Sequence, residues 1–325
     1  MAELRQLVIE PKRRTYRHVE DRIGSRAPTR YEEATIGVQP TENFHYRPLW
    51  DPSHELYDPS YSRLRLSDPE AFLDPRQFYY GSFVMNRAQR GESLNQMVTL
   101  VQNRDLVQTL KYAWFGLMAG VVVALRHYEA GANLISINAA RFAWGTPIAA
   151  ATGFAAMDRL MNAQLLTEGG LTLGGKERLA QIKLGWMEDP THQPARKLIE
   201  ELLVEPDWAV ALIALDQADR LIYPLLYEYL ETIAFEQGVL FFSLVAPFLR
   251  DWYVEQRKWI GALEKAWRDD PEFGEANDDV LADIDQTWGP AAHAVAHALA
   301  GRIDTLLGDP GAYRFVDELI KKVQR

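Results

Sequence analysis

Seven histidines, 45 acidic residues and no cysteine define the chemistry open to this 325-residue chain. Without thiols there can be no disulfide, thiolate nucleophile, zinc-thiolate site or iron-sulfur cluster, so any reactivity has to come from carboxylates, imidazoles or hydroxyls. The group best placed for it is Arg126-His127-Tyr128-Glu129, four polar residues in one helical turn between two apolar runs of residues 112–158. Helical bundles that bind metals place Glu and His in this way, in the middle of core helices. The alternative is a structural polar network in the core, because a buried charge without a partner is costly.

A di-iron carboxylate site would show Glu-x-x-His on two helices and one Glu on each of two others. The single Glu-x-x-His is Glu42-Asn43-Phe44-His45, which runs into Arg47-Pro48 and not into a helical pattern. His293 and His297 have helical i, i+4 spacing, but position 294, where a zincin motif needs Glu, is Ala. Asp216, Asp219 and Arg220, and Glu228 with Glu231, put carboxylates on helix faces without a histidine, and salt bridges to a neighbouring helix or subunit account for them. The segment GGLTLGG (169–175) has neither the Lys-Ser/Thr nor the strand of a phosphate loop. These residues predict no catalytic, cofactor-binding or metal site in the chain.

The elements that must position these side chains are helices. No alternation of strands and helices and no internal repeat is visible, so the fold class is all-α. The 47% hydrophobic content supports a large core, and a net charge of -10 argues against nucleic acid or a membrane surface as partner. The N-terminus lacks the apolar stretch of a signal peptide, which predicts a cytoplasmic location. Within residues 112–158, the segment 130–157 has Arg141 as its only charge yet carries Asn133, Ser136, Asn138, Thr146, Pro147 and Thr152. That suits core helices buried on nearly every side better than a membrane span.

Helices are expected over much of the chain after Gly81, with Gly169-Gly170 and Gly174-Gly175 bracketing a turn. A long helix should run from Asp207 or Trp208 through Glu236. In the next one Trp252, Gln256, Trp259 and Leu263 share a face, while Asp251, Glu255, Lys258 and Glu264 form a mostly solvated side. Residues 1–81 differ. Five Asp-Pro or Arg-Pro steps stop helices between positions 47 and 75, while Phe44, Tyr46, Trp50, Phe78, Tyr79 and Tyr80 need a surface to lie on. The expectation is an extended arm (1–81) wrapped on a partner or on its own bundle, followed by a helical domain (82–325).

Five blocks in order, FHYRPLWD (44–51), DPRQFYYG (74–81), LRHYEAGAN (125–133), AMDRL (156–160) and RDWY (250–253), resemble the hydroxylase β subunit of bacterial multicomponent di-iron monooxygenases of the phenol hydroxylase and toluene monooxygenase type. The resemblance implies a ferritin-like, ribonucleotide reductase-like bundle without the di-iron ligands. It implies a non-catalytic subunit paired with a catalytic α and a small γ chain, two copies of each, with the di-iron centre in α. A reductase carrying FAD and a [2Fe-2S] cluster, and a regulatory protein, would complete an NAD(P)H-dependent system acting on phenol or a related aromatic or hydrocarbon. The subunit-interface candidates are Phe44, His45, Tyr46, Arg47, Trp50, Asp51, Asp74, Arg76, Phe78, Tyr79 and Tyr80. Two readings outside the family are a stand-alone ferritin-like oxidase and a helical scaffold or regulatory protein.

Overall fold

X-Pro steps hold the preceding residue out of the helical region, and the chain folds accordingly. In the computed structural model, which describes residues 14–39, 53–308 and 311–323, residues 53–79 are irregular apart from one 3₁₀ turn at Pro69–Ala71. No β-strand occurs among the described residues. The arm also contains two short helices, α1 (Arg17–Ile23) and α2 (Arg30–Thr35). Thr29 starts α2 with a capping box, its hydroxyl accepting from the Glu32 amide while the Glu32 carboxylate accepts from the Thr29 amide.

The helical domain opens with α3 (Tyr80–Asn103). Next, α4 (Tyr112–Leu117) passes through a π turn at Met118–Val122 and a 3₁₀ turn at Val123–Leu125 into α5 (Arg126–Phe142). Three residues later the chain returns as α6 (Thr146–Glu188), followed by α7 (Gln193–Leu202) and α8 (Trp208–Pro224). A second π turn, Leu225–Tyr229, leads to α9 (Leu230–Glu236), then α10 (Leu240–Ser243), α11 (Ala246–Arg268), α12 (Gly274–Leu307) and α13 (Gly311–Val323).

The long pairs are α5 with α6 and α8 with α12, and α8 also packs on α5 and α11. Helix α8 is the most enclosed of these, every residue except Gln217 and Arg220 being buried. The helix expected through Glu236 is interrupted after Pro224, whose ring nitrogen has no hydrogen to donate to the preceding turn, and the backbone widens into the π turn there.

Two expectations are corrected. Gly169 and Gly170 do not turn the chain; they lie inside α6, and a Cβ on Gly170 would stand 2.4 Å from Leu179 Cδ2 and 2.9 Å from Val123 Cγ1. Gly170 is there for close packing, and the break comes at Gly174-Gly175, where Gly175 has φ +68°. The low-charge stretch 112–158, expected to be buried on nearly every side, keeps one face uncovered. Leu134 (53% exposed) and Ile137 on α5, with Met157 and Leu160 (60% exposed) on α6, leave one face of this helix pair open and apolar. No helix among the described residues is long and apolar enough to cross a membrane.

From residue 53 to 79 the arm lies on its own bundle. The Asp207 side chain caps α8 through the amides of Ala209 and Val210 and also accepts the Arg63 amide at 2.7 Å. Buried Asn277 clips the irregular segment at Arg65, accepting its amide at 2.9 Å and donating to its carbonyl at 2.8 Å. Leu64 and Phe72 enter the main core, and Tyr61 stacks on Phe142 at 4.9 Å.

Candidate functional site

Helical spacing brings polar side chains from α5, α6 and α8 to one level of the bundle. Tyr128 and Glu129 come from α5, Arg159 and Asn162 from α6, and Asp219 and Tyr223, one turn apart, from α8; all are buried. The Arg159 guanidinium lies between two carboxylates. One nitrogen is 3.1 Å from Glu129 Oε2, and the other donates to Asp219 Oδ2. The Tyr128 hydroxyl donates to Asp219 Oδ1 at 2.8 Å, the Tyr223 hydroxyl donates to Glu129 Oε1 at 2.6 Å, and Asn162 donates to the Tyr223 oxygen at 3.2 Å. Trp252 of α11 closes the site, its ring centroid 4.6 Å from the guanidinium carbon, a cation–π distance.

Two further ionic groups flank this one. Arg87 of α3 makes a two-pronged contact with Asp158 of α6, both at 2.6 Å, and reaches Glu255 of α11 at 3.0 Å, which Arg90 also meets at 2.9 Å. Asp216 of α8 accepts from Arg220 one turn on and from Arg257 of α11, and Arg220 bonds Glu264. The expected solvated side of α11 is corrected by these contacts. Glu255 and Glu264 turn inward, because α3 and α8 present arginines to that side of the helix.

Burial dominates the electrostatics. It pushes the Asp219 carboxyl up to about 7 against the opposing pull of Arg159, and it raises the Tyr128 and Tyr223 phenols. For Asp216 burial acts upward too, but Arg257 and Arg220 outweigh it and hold the carboxyl below its ordinary range. Arg159 is held well above its ordinary value because Asp219 and Glu129 more than offset its burial. A guanidinium so held neither donates nor accepts a proton in a reaction. What this arrangement does is fix the register of α5, α6, α8 and α11.

A di-iron centre does not fit these residues. Glu129 and Asp219 already receive a guanidinium and a phenol each, and a permanently charged side chain fills the space between them. Among the described residues no group of three or more His, Cys, Asp or Glu is arranged to hold a metal ion. His297 is 2.9 Å from Asp317 and stacks on Tyr313, and His293 does not join that contact.

Of the four residues expected to form one core network, Tyr128 and Glu129 enter the ionic cluster and Arg126 and His127 do not. Neighbouring helical residues point about 100° apart, so one turn cannot aim all four at the same partner. Arg126 donates to the Leu179 carbonyl at 3.3 Å. His127 faces Trp186, whose other neighbour is His192, with ring centroids 5.7 Å apart in each case. Burial, then Arg126, Lys183 and His192, bring His127 down to about 4. His192 places its Nε2 2.7 Å from the Gly120 carbonyl in the first π turn.

The interface candidates Phe44, His45, Tyr46, Arg47, Trp50 and Asp51 lie outside the described residues, as does Glu42. Asp74 and Arg76 form a buried pair at 2.8 Å, with the Asp74 amide donating to the Tyr31 hydroxyl at 2.9 Å. Arg76 also stands 5.1 Å from the Phe78 ring and 5.4 Å from Trp259. Phe78 packs with Phe83 and Phe154, Tyr79 is half-buried at the start of α3, and Tyr80 is 70% exposed. Asp74, Arg76 and Phe78 therefore serve this chain's own packing, and Tyr80 presents its ring outward.

Sequence reasoning passed over Arg159 as the hub. The available signal was Asp158-Arg159, the only charged residues between Thr146 and Thr167, in a helix that is otherwise apolar or uncharged.

Residues 50–271 match the Methane/Phenol/Alkene Hydroxylase family. The oxygenase component DmpL of phenol 2-monooxygenase from Pseudomonas sp. (strain CF600) is 33% identical over 301 residues, 92% of this chain and 90% of that protein. The hydroxylase component small subunit of propane 2-monooxygenase from Mycolicibacterium goodii is 24% identical over 83% of this chain and 76% of its own length. Among solved structures, a xenon-pressurized crystal of phenol hydroxylase from Pseudomonas sp. OX1 contains a chain that superposes with a TM-score of 0.87 at 34% identity, covering 99% of this chain and 98% of that one.

Proposed function

The chain belongs to the methane/phenol/alkene hydroxylase family, and we propose that it is the structural β subunit of a multicomponent monooxygenase hydroxylase whose oxygen chemistry takes place in a separate α subunit. The bundle is ferritin-like, and the observation that carries the reading is Arg159, a fixed cation seated between Glu129 and Asp219 in the core. This chain's residues orient and support; they do not touch the reacting atoms. The exposed apolar side chains of Leu134, Ile137, Met157 and Leu160, at helical i, i+3 spacing on the paired helices α5 and α6, mark the surface we assign to the α subunit.

The proposed assembly has two copies each of α, β and a small γ chain, the di-iron centre being held by α. A reductase with FAD and a [2Fe-2S] cluster would deliver electrons from NAD(P)H, and a regulatory protein would complete the cytoplasmic system. Phenol is the proposed substrate, supported by the higher identity to the phenol 2-monooxygenase component than to the propane one.

The test is expression of the chain alone and together with the α and γ subunits of its system. The chain alone is expected to carry no stoichiometric iron and no phenol hydroxylation, and the assembly to show both once reductase and regulatory protein are added. About two irons bound per isolated chain, or normal turnover by α and γ without it, would overturn the proposal.

A further inference from the structure

Where α3, the first π turn, α6 and α10 meet, the packing leaves a partly open pocket of about 50 Å³ bordered by Val101, Met118, Val122, Leu165 and Phe242. Two features of the chain keep it open. The π turn at Met118–Val122 holds an extra residue and pushes its carbonyls and side chains apart. On the opposite wall Gly169 contributes no side chain, and a Cβ built there would find only Val123 Cγ2, at 3.8 Å. A side chain would fit this position, so the space is not a consequence of crowded backbones.

The wall is apolar almost throughout. Its polar side chains are Glu168 and Thr172, and the Thr172 hydroxyl already donates to the Glu168 carbonyl at 2.9 Å. A bound water needs two to four polar partners, which this wall does not supply, whereas an apolar wall favours an apolar guest. A single water-sized sphere fills roughly 10–15 Å³, so the pocket is large enough for a guest of a few heavy atoms. We propose that it is a binding site for a small non-polar molecule. The site shares no residue with the ionic cluster at Arg159, and the inference stands apart from the proposed role in a hydroxylase.

Xenon is the probe. Crystals of the full chain pressurised with xenon should show the atom in this pocket, and the xenon resonance of the dissolved chain should shift with protein concentration. Gly169→Leu should abolish both signals while leaving the helical circular dichroism intact. Val98→Trp, at the half-buried rim, provides a second block if the first variant folds poorly. Ordered water in place of xenon, or xenon binding unchanged in a folded blocking variant, would overturn the assignment.

Discussion

Glu129 on α5 and Arg159 on α6 face each other at 3.1 Å, the one 3% and the other 1% exposed, thirty residues apart in the chain. This pair shows what the core polar residues are for. A carboxylate in the middle of a bundle has a guanidinium beside it, and the strength of that contact depends on every group around it staying in place.

Glu129→Ala should therefore destabilise the chain by about 3–5 kcal/mol, because it leaves Arg159 with a single carboxylate and removes the acceptor of the Tyr223 hydroxyl. Urea unfolding of the purified chain measures it. A loss under about 1 kcal/mol would mean that water or another group replaces the carboxylate, and the cluster would not be the fastener described.

The imidazole of His127 makes the chain acid-sensitive. The unfolded chain takes up this proton near pH 6.5, but in the fold burial and the neighbouring Arg126, Lys183 and His192 bring it down to about 4. Between these values the unfolded state binds more protons, so stability rises with pH; the contribution is complete above 6.5 and is lost as the pH falls toward 4. A histidine NMR titration should give one resonance, absent in His127→Gln, with a midpoint near 4. A midpoint near 6.5 would sink the prediction.

Gly145 joins α5 to α6 with φ +106°, and a Cβ there would stand 2.8 Å from Pro69 Cβ and 2.9 Å from the Pro69 carbonyl oxygen. Gly145→Ala should cost about 1–3 kcal/mol in backbone strain and lift the arm from the bundle. Limited proteolysis should then cut residues 53–79 several times faster than in the parent chain, with helical content unchanged. Equal cleavage rates would show that the arm is held elsewhere.

Asn277 bonds both backbone groups of Arg65 and the Trp267 carbonyl from a fully buried position. Asn277→Ala strands those groups, and a buried unsatisfied polar group costs about 1–3 kcal/mol. Thermal unfolding should show a clearly lowered midpoint, whereas an unchanged midpoint would mean that the groups find water.

The assigned α-subunit face separates folding from assembly. Replacing Leu134 with Lys and Leu160 with Glu, both largely exposed, should leave the isolated chain's melting within about 0.5 kcal/mol of the parent, the usual range for surface changes. The double variant should nevertheless fail to co-purify with the α subunit. Normal co-purification would move the interface elsewhere.

The helical content, the position of most breaks and the irregular arm could be read from the chain alone, because they depend on local rules. Proline has no amide hydrogen, Gly175 takes a left-handed φ, and apolar residues at helical spacing mark a face. The same rules singled out Arg126, His127, Tyr128 and Glu129 as one polar turn, of which Tyr128 and Glu129 join the core cluster, and the sequence blocks pointed to the family. Partners were not legible. Periodicity says that Glu129 points inward but not that Arg159 waits there, or that Glu255 and Glu264 meet arginines from α3 and α8. Nor could it show that Phe78, Arg76 and Asp74 pack on this chain's own bundle, or that Leu134 and Leu160 stay uncovered. Each of these depends on which helix faces cross at what height, and that is settled by the packing of the whole core, since a buried charge is tolerated only where the fold has already set its counter-ion.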